Sequence, residues 1–139
     1  MSSTLAIIKP DAVGSSLAGK ILAYLEDAGF TVRAIKMMRL GPDQAGAFYE
    51  VHKERSFYDS LVSFMTSGPV IPMVLEADDA VAKLRHVIGA TDPAEADEGT
   101  VRRLYAESKE RNAIHASDSD ENAAAEIAFF FSRHERLGL

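Results

Sequence analysis

An α+β fold is predicted: a ferredoxin-like βαββαβ arrangement, with a four-stranded antiparallel sheet covered on one face by helices. Three observations lead there. Short apolar runs of strand length alternate with segments whose apolar residues recur at helical spacing, in the order strand, helix, strand, helices, strand, helix, loop, strand, helix. That order divides into two β-α-β units without an internal repeat. The chain has 139 residues, 47% of them hydrophobic and 26% charged, enough to bury one core although it contains no cysteine. Residues 1–139 are therefore expected to form a single domain.

Leu5-Ala6-Ile7-Ile8 reads as a buried strand, stopped at Lys9-Pro10-Asp11 because proline cannot donate to a ladder. Leu17, Ile21, Leu22 and Leu25 then keep helical spacing up to Gly29, a suitable C-cap. Phe30 to Leu40 resumes strand character, but its alternation slips a phase at Ala34-Ile35, which predicts a bulge or a one-sided edge strand. Gly41-Pro42-Asp43 opens a helical region through Phe48 and Val51, and Ser56 to Met65 forms another. After the Gly68-Pro69 break, Val70 to Leu75 is a strand in which Pro72 is awkward for a central position. Asp78 is placed to cap a helix through Val81, Leu84 and Val87 to Gly89. Ala90 to Arg111 is polar, with one short helix expected near Val101 to Glu107, and a loop this long in a compact domain is usually functional. Ile114 and His115 form a short β-like run, followed by a helix from Glu121 to Phe131 that Ser117, Asp118 or Ser119 can cap.

Composition narrows the function classes. A formal charge of −6 repels polyanions at long range, so no specific nucleic-acid partner is expected. No apolar run approaches the length of a membrane span, and Met1 to Lys20 lacks the basic start and apolar core of a signal peptide, so a cytoplasmic protein without membrane contact is expected. An anionic substrate must then be drawn in by a local cluster of cations, and Lys9, Arg55, Arg85, Arg102 and Arg103 are the candidates, although each alone reads as a solvated surface charge.

Gly14-Ser15-Ser16-Leu17-Ala18-Gly19-Lys20-Ile21 nearly matches a phosphate-binding loop, but Ile21 stands where a hydroxyl must meet magnesium, and Gly19 falls inside a helical pattern. His52, His86, His115 and His134 show no metal-ligand spacing, and no Gly-x-Ser-x-Gly elbow is present. What remains is His115. Its imidazole is nucleophilic when neutral, and Glu126, on one helix face with Asn122, is a candidate to orient it. A lone histidine is more often a strand end satisfied by a backbone carbonyl.

Asn112-Ala113-Ile114-His115-Ala116-Ser117-Asp118-Ser119 resembles the active-site signature of nucleoside diphosphate kinases. Ile8-Lys9-Pro10-Asp11, Arg55-Ser56-Phe57, Ser67-Gly68-Pro69-Val70, Gly89-Ala90-Thr91-Asp92-Pro93 and Gly99-Thr100-Val101-Arg102 resemble further motifs of the same family, in the same order over almost the whole chain. The resemblance implies transfer of the terminal phosphoryl group of a nucleoside triphosphate, typically ATP, to a nucleoside diphosphate through a phosphohistidine in a ping-pong cycle. It makes His115 the nucleophile, Glu126 the carboxylate on the other ring nitrogen, and Ser117 a supporting hydroxyl. Tyr49 would lie beside His115, and Lys9 would reach the ribose hydroxyl and the transferred group. Arg85, Thr91 and Arg102 would contact phosphates, Asn112 the sugar, Phe57 would stack on the base and Leu61 would pack near it, contacts nearly blind to base identity.

Mg2+ is implied as an ion delivered with the nucleotide, touching Asp118 at most. A homo-oligomer is implied as well, a tetramer or hexamer built from dimers paired through the second strand's edge. The chain departs from the family's commonest pattern at Ala116, usually glycine, at Ser56, often proline, at Arg103-Leu104, and at Lys109, where the second wall of the base slot is expected. Two other classes fit the same residues: a ferredoxin-like module that binds a nucleotide without turning it over, and a phosphorelay carrier whose histidine is loaded by a partner protein.

Overall fold

The computed structural model describes residues 1–136; of the short tail after Phe131, expected to offer little surface for choosing between assemblies, Leu137-Gly138-Leu139 lies outside the described residues. Four strands, β1 (Ser2–Ile8), β2 (Thr31–Ile35), β3 (Ile71–Ala77) and β4 (Ile114–Ala116), form one sheet in the order β2-β3-β1-β4, with every neighbouring pair antiparallel. Helices α1 (Pro10–Gly14), α2 (Ala18–Asp27), α3 (Pro42–Phe48), α4 (Tyr58–Met65), α5 (Ala80–Ile88), α6 (Val101–Tyr105), α7 (Asp120–Phe130) and α8 (Arg133–Arg136) surround it.

Helices cover both faces of the sheet, not one. Successive side chains of a strand point to opposite faces, and Leu5, Ala6, Ile7 and Ile8 are all buried, so neither face of β1 meets water over these residues. Ala6 and Ile8 join Met73, Leu75, Ile21, Leu25, Leu84 and Ile88 in a core under α2 and α5. Leu5 and Ile7 join Val74, Met65, Ile127 and Phe131 in a second core under α4 and α7.

The phase slip in the second strand is both predicted things at once. The β2–β3 register shifts between Val32 and Ala34, and β2 is an edge of the sheet. Pro72 is tolerated in the central β3 because its carbonyl accepts from the Lys36 N–H just past the end of β2. A residue's N–H and C=O point to the same neighbour in an antiparallel ladder, so the missing donor falls opposite the irregular stretch past β2, where pairing continues as an isolated Met38–Val70 bridge.

The start of α5 corrects an expectation. Asp78 does not cap it; Asp79, at φ +50°, occupies the cap position, and the Ala80 N–H donates to Ser2 Oγ at 2.9 Å. Asp78 is instead an exposed partner of the N-terminal ammonium at 3.7 Å. Two short elements escaped the periodicity because they are too brief to show one: α1, which proline starts at its first position, and α8. Gly19 and Lys20 lie within α2, which removes the phosphate-loop reading. Among the described residues, no helix is long and apolar enough to cross a membrane.

Candidate active site

β4 pairs with β1 so that Ile7 lies opposite His115, and the alternation that buries Ile114 and Ala116 on the α2–α5 side turns His115 toward α3 and α7. There its Nε2 lies 2.8 Å from Glu126 Oε1. An ionised carboxylate only accepts, so Nε2 carries the proton and Nδ1 keeps its lone pair. Ser117 Oγ donates to the same Glu126 oxygen at 2.7 Å. Glu126 is delivered by α7, whose first turn is capped by Ser119 Oγ accepting from the Asn122 N–H at 3.0 Å. His115 is 22% exposed, held on one side and open on the other.

The open side is a cleft of about 500 Å³, lined by Lys9, Tyr49, Phe57, Leu61, Arg85, Thr91, Arg102, Lys109, Glu110, Asn112, Ile114, His115 and Ala116. Every binding residue expected from the sequence is here, brought together from separate segments. Ala116 lines the cleft while β4 stays paired with β1. Arg55 and Arg103 do not line the cleft. Asp118 also stands outside it, exposed, with Oδ1 accepting from the Asn122 amide at 2.6 Å.

The cations are placed by backbone. Arg102, 7% exposed, donates from Nη1 to the Gly89 carbonyl and from Nη2 to the Ile114 carbonyl, which faces outward on the edge strand β4; its Nε is buried without a partner among the described residues. Burial and the nearby Arg85 lower its pKa to about 10, which leaves it charged at neutral pH. Arg85 itself sits in the last turn of α5. That helix ends on Gly89 at φ +89°, where an added Cβ would lie 2.5 Å from Thr100 Oγ1, so only glycine lets α5 meet the start of α6.

Lys9 is buried and donates from Nζ to Asn112 Oδ1 and to the Glu110 carbonyl, both at 2.9 Å. Burial lowers its pKa to about 8, against a smaller opposing pull from Asp11. Both Asn112 amide hydrogens are used, on the carbonyls of Thr91 and Lys109, while Oδ1 keeps a second lone pair to accept from a ligand. Tyr49 is buried beside His115, ring centroids 6.4 Å apart, and burial raises its phenol so that it stays protonated.

Two residues of the arrangement escaped the sequence reading. Phe48 packs edge-on against His115 at 5.4 Å and against Phe129 and Phe130 of α7, but at helical spacing it was indistinguishable from a core aromatic. Asp11 seemed only to end a strand; its buried Oδ2 accepts from the N–H of Ala113 at 3.0 Å, a residue held at φ +74°. That unusual backbone joins Asn112 to the strand carrying His115.

The model of the family described as nucleoside diphosphate kinase matches residues 2–136. The nucleoside diphosphate kinase of Chlorobaculum tepidum is 58% identical over 135 residues, covering 97% of this chain and 96% of the relative. That of Nitratiruptor is 56% identical over 137 residues, covering 99% of this chain and all of the relative. Among solved structures, the Aquifex aeolicus nucleoside diphosphate kinase superposes with a TM-score of 0.95 at 47% identity, over 98% of this chain and 99% of the other. A halophilic nucleoside diphosphate kinase from Halobacterium salinarum, solved in complex with CDP, superposes at 0.94 with 38% identity, over 99% and 92%. With the sheet order, the guided histidine and relatives matched from end to end all agreeing, this chain belongs to the nucleoside diphosphate kinase family of phosphotransferases.

Proposed function

We propose that the chain, acting as one catalytic domain over residues 1–139, moves the γ-phosphoryl group of a nucleoside triphosphate, typically ATP, onto a nucleoside diphosphate through a phosphohistidine on His115. The observation that carries this is the pairing of His115 Nε2 with Glu126 at 2.8 Å beside a cleft lined by Lys9, Arg85 and Arg102. The CDP bound by the Halobacterium salinarum relative supports a nucleotide as its occupant.

In the first half-reaction the Nδ1 lone pair attacks the γ-phosphorus, the bond to the β–γ bridging oxygen breaks, and the nucleoside diphosphate leaves with that electron pair. The imidazole becomes cationic, and Glu126 stabilises it through the Nε2–H it already holds, with Ser117 fixing the carboxylate. In the second, a terminal phosphate oxygen of the incoming diphosphate attacks the same phosphorus and the Nδ1–P bond breaks, returning neutral His115. Arg85, Thr91 and Arg102 hold phosphates, Lys9 and Asn112 the sugar and transferred group, Tyr49 donates from its protonated phenol, and Phe57 and Leu61 receive the base.

Mg2+ would arrive on the nucleotide's own phosphates; among the described residues no cluster of three or more His, Cys, Asp or Glu is arranged to hold a metal, and Asp118, exposed outside the cleft, would touch the ion at most. When bound, that ion neutralises charge on the phosphate oxygens. The chain acts in the cytoplasm as a homo-oligomer, tetramer or hexamer, built from dimers.

Incubation with γ-labelled ATP tests the reading. Acid-labile, base-stable label that any nucleoside diphosphate removes is the expected result. A protein that binds nucleotide but stays unlabelled would be a binding module; one labelled only by a phosphorylated partner protein would be a relay carrier.

A further inference from the structure

We propose that Lys109 biases the base slot toward nucleotides whose base presents a carbonyl at its outer edge: guanine among purines, and uracil or thymine among pyrimidines. This rests on the function proposed above. Burial orders the cleft. Lys9 and Arg102 are buried at its inner part, whereas Phe57 is 44% exposed and Lys109 is exposed, so the mouth is formed by Phe57, Leu61, Lys109 and Glu110. Phe57 and Leu61 offer a ring face and an apolar contact, which every base accepts alike.

Selection therefore falls to the two charged groups, and they differ in freedom. Glu110 is drawn onto α4, both its carboxylate oxygens within 3.0 Å of Ser60 Oγ. Its neighbour Arg111 is likewise engaged, by Glu107 at 2.6 Å. The Lys109 ammonium has no hydrogen bond or ion pair among the described residues, while its backbone carbonyl is fixed by the Asn112 amide at 3.0 Å. It is a tethered, donor-only group at the mouth of a stacking slot. Guanine O6 and the O4 of uracil or thymine accept from such a donor; the amino groups of adenine and cytosine, at the same ring positions, present hydrogens to it. The site is open to water, so the preference is modest, about three- to ten-fold.

The test isolates the phosphoenzyme formed with labelled triphosphate and measures the second-order rate of label transfer to GDP, ADP, UDP and CDP. Comparison within purines and within pyrimidines removes differences in stacking area. Transfer to GDP over ADP and to UDP over CDP is expected about three- to ten-fold faster in the native chain, and both ratios should fall to near one in Lys109→Met, which keeps the aliphatic stem. Equal rates within each pair in the native chain overturn the proposal, as do ratios that survive the substitution or a uniform slowing for all four nucleotides, which marks a structural role. Failure to form any phosphoenzyme overturns the proposed function instead, so the two outcomes are distinct.

Discussion

One hydrogen bond, from His115 Nε2–H to Glu126, decides which nitrogen has a lone pair to offer, and Ser117 shares the same oxygen, so the orienting carboxylate is itself oriented. His115→Ala removes the nucleophile and leaves the packing around it largely intact; complete loss of labelling with a nearly unchanged Tm is expected, and retained phosphotransfer would refute the role. Glu126→Ala keeps the nucleophile but loses a charge-assisted bond of about 1.5–3 kcal/mol, so turnover should fall roughly 10- to 100-fold and survive. Full activity in that variant would mean the ring is held by Phe48 and Tyr49 alone. Lys9 adds a pH dependence. Its pKa is lowered by burial to about 8 from 10.5, so the free enzyme loses this charge as pH rises through 8 while the unfolded chain stays protonated to about 10.5. The unfolded state then binds more protons between those values, and stability from this group rises with pH across that window. Activity runs the other way: kcat/KM should decline above about pH 8, and a profile flat to pH 10 would remove Lys9 from nucleotide binding.

At the scale of elements, β4 is three residues long and depends on its surroundings for position. The Lys9-Pro10-Asp11 segment supplies it: the Lys9 N–H donates to the Ala113 carbonyl, Lys9 Nζ to Asn112, and Asp11 accepts from the Ala113 N–H. Proline starts α1 at this point and keeps the segment turned toward β4. Asp11→Ala leaves the buried Ala113 N–H without its acceptor and should cost about 1–3 kcal/mol in urea unfolding, with kcat falling because Asn112 and His115 lose their register. Adding Ala113→Gly, which relieves the left-handed backbone, should recover up to about 1 kcal/mol of that loss. An Asp11→Ala variant as stable and active as the parent would show that β1 pairing alone positions β4.

For the whole molecule, a net charge of −6 coexists with a cleft whose lining carries Lys9, Arg85, Arg102 and Lys109 against Glu110 alone. Attraction for an anionic nucleotide is therefore local. The other edge of the sheet concerns assembly. At the end of β2 and just past it, Ile35 is 46% and Met37 60% exposed along the sheet's unpaired edge, the apolar edge through which dimers are proposed to form. Met37→Asp should lower the sedimentation coefficient toward that of a monomer; an unchanged value would place the dimer contact elsewhere.

The amino-acid order alone determined where the strands and longer helices run and the edge character of Phe30 to Leu40, because periodicity, proline and capping residues act within a few positions of themselves; it offered Glu126 only as a candidate partner for His115. It also marked Lys9, Arg85 and Arg102 among five candidate cations, but singled them out with Thr91 only through likeness to a family, since nothing local says that residues so far apart will meet. Tertiary structure decided the rest. The second helical layer formed because a strand buried at every position from Thr4 to Ile8 must be covered twice; Asp11 became an anchor because the fold brought Ala113 to it in a backbone needing an acceptor; Ser2, not Asp78, capped α5 because the first strand begins beside it. The Asp11–Ala113 and Ser2–Ala80 contacts join residues distant in the chain, each partner chosen by packing rather than by neighbours in sequence.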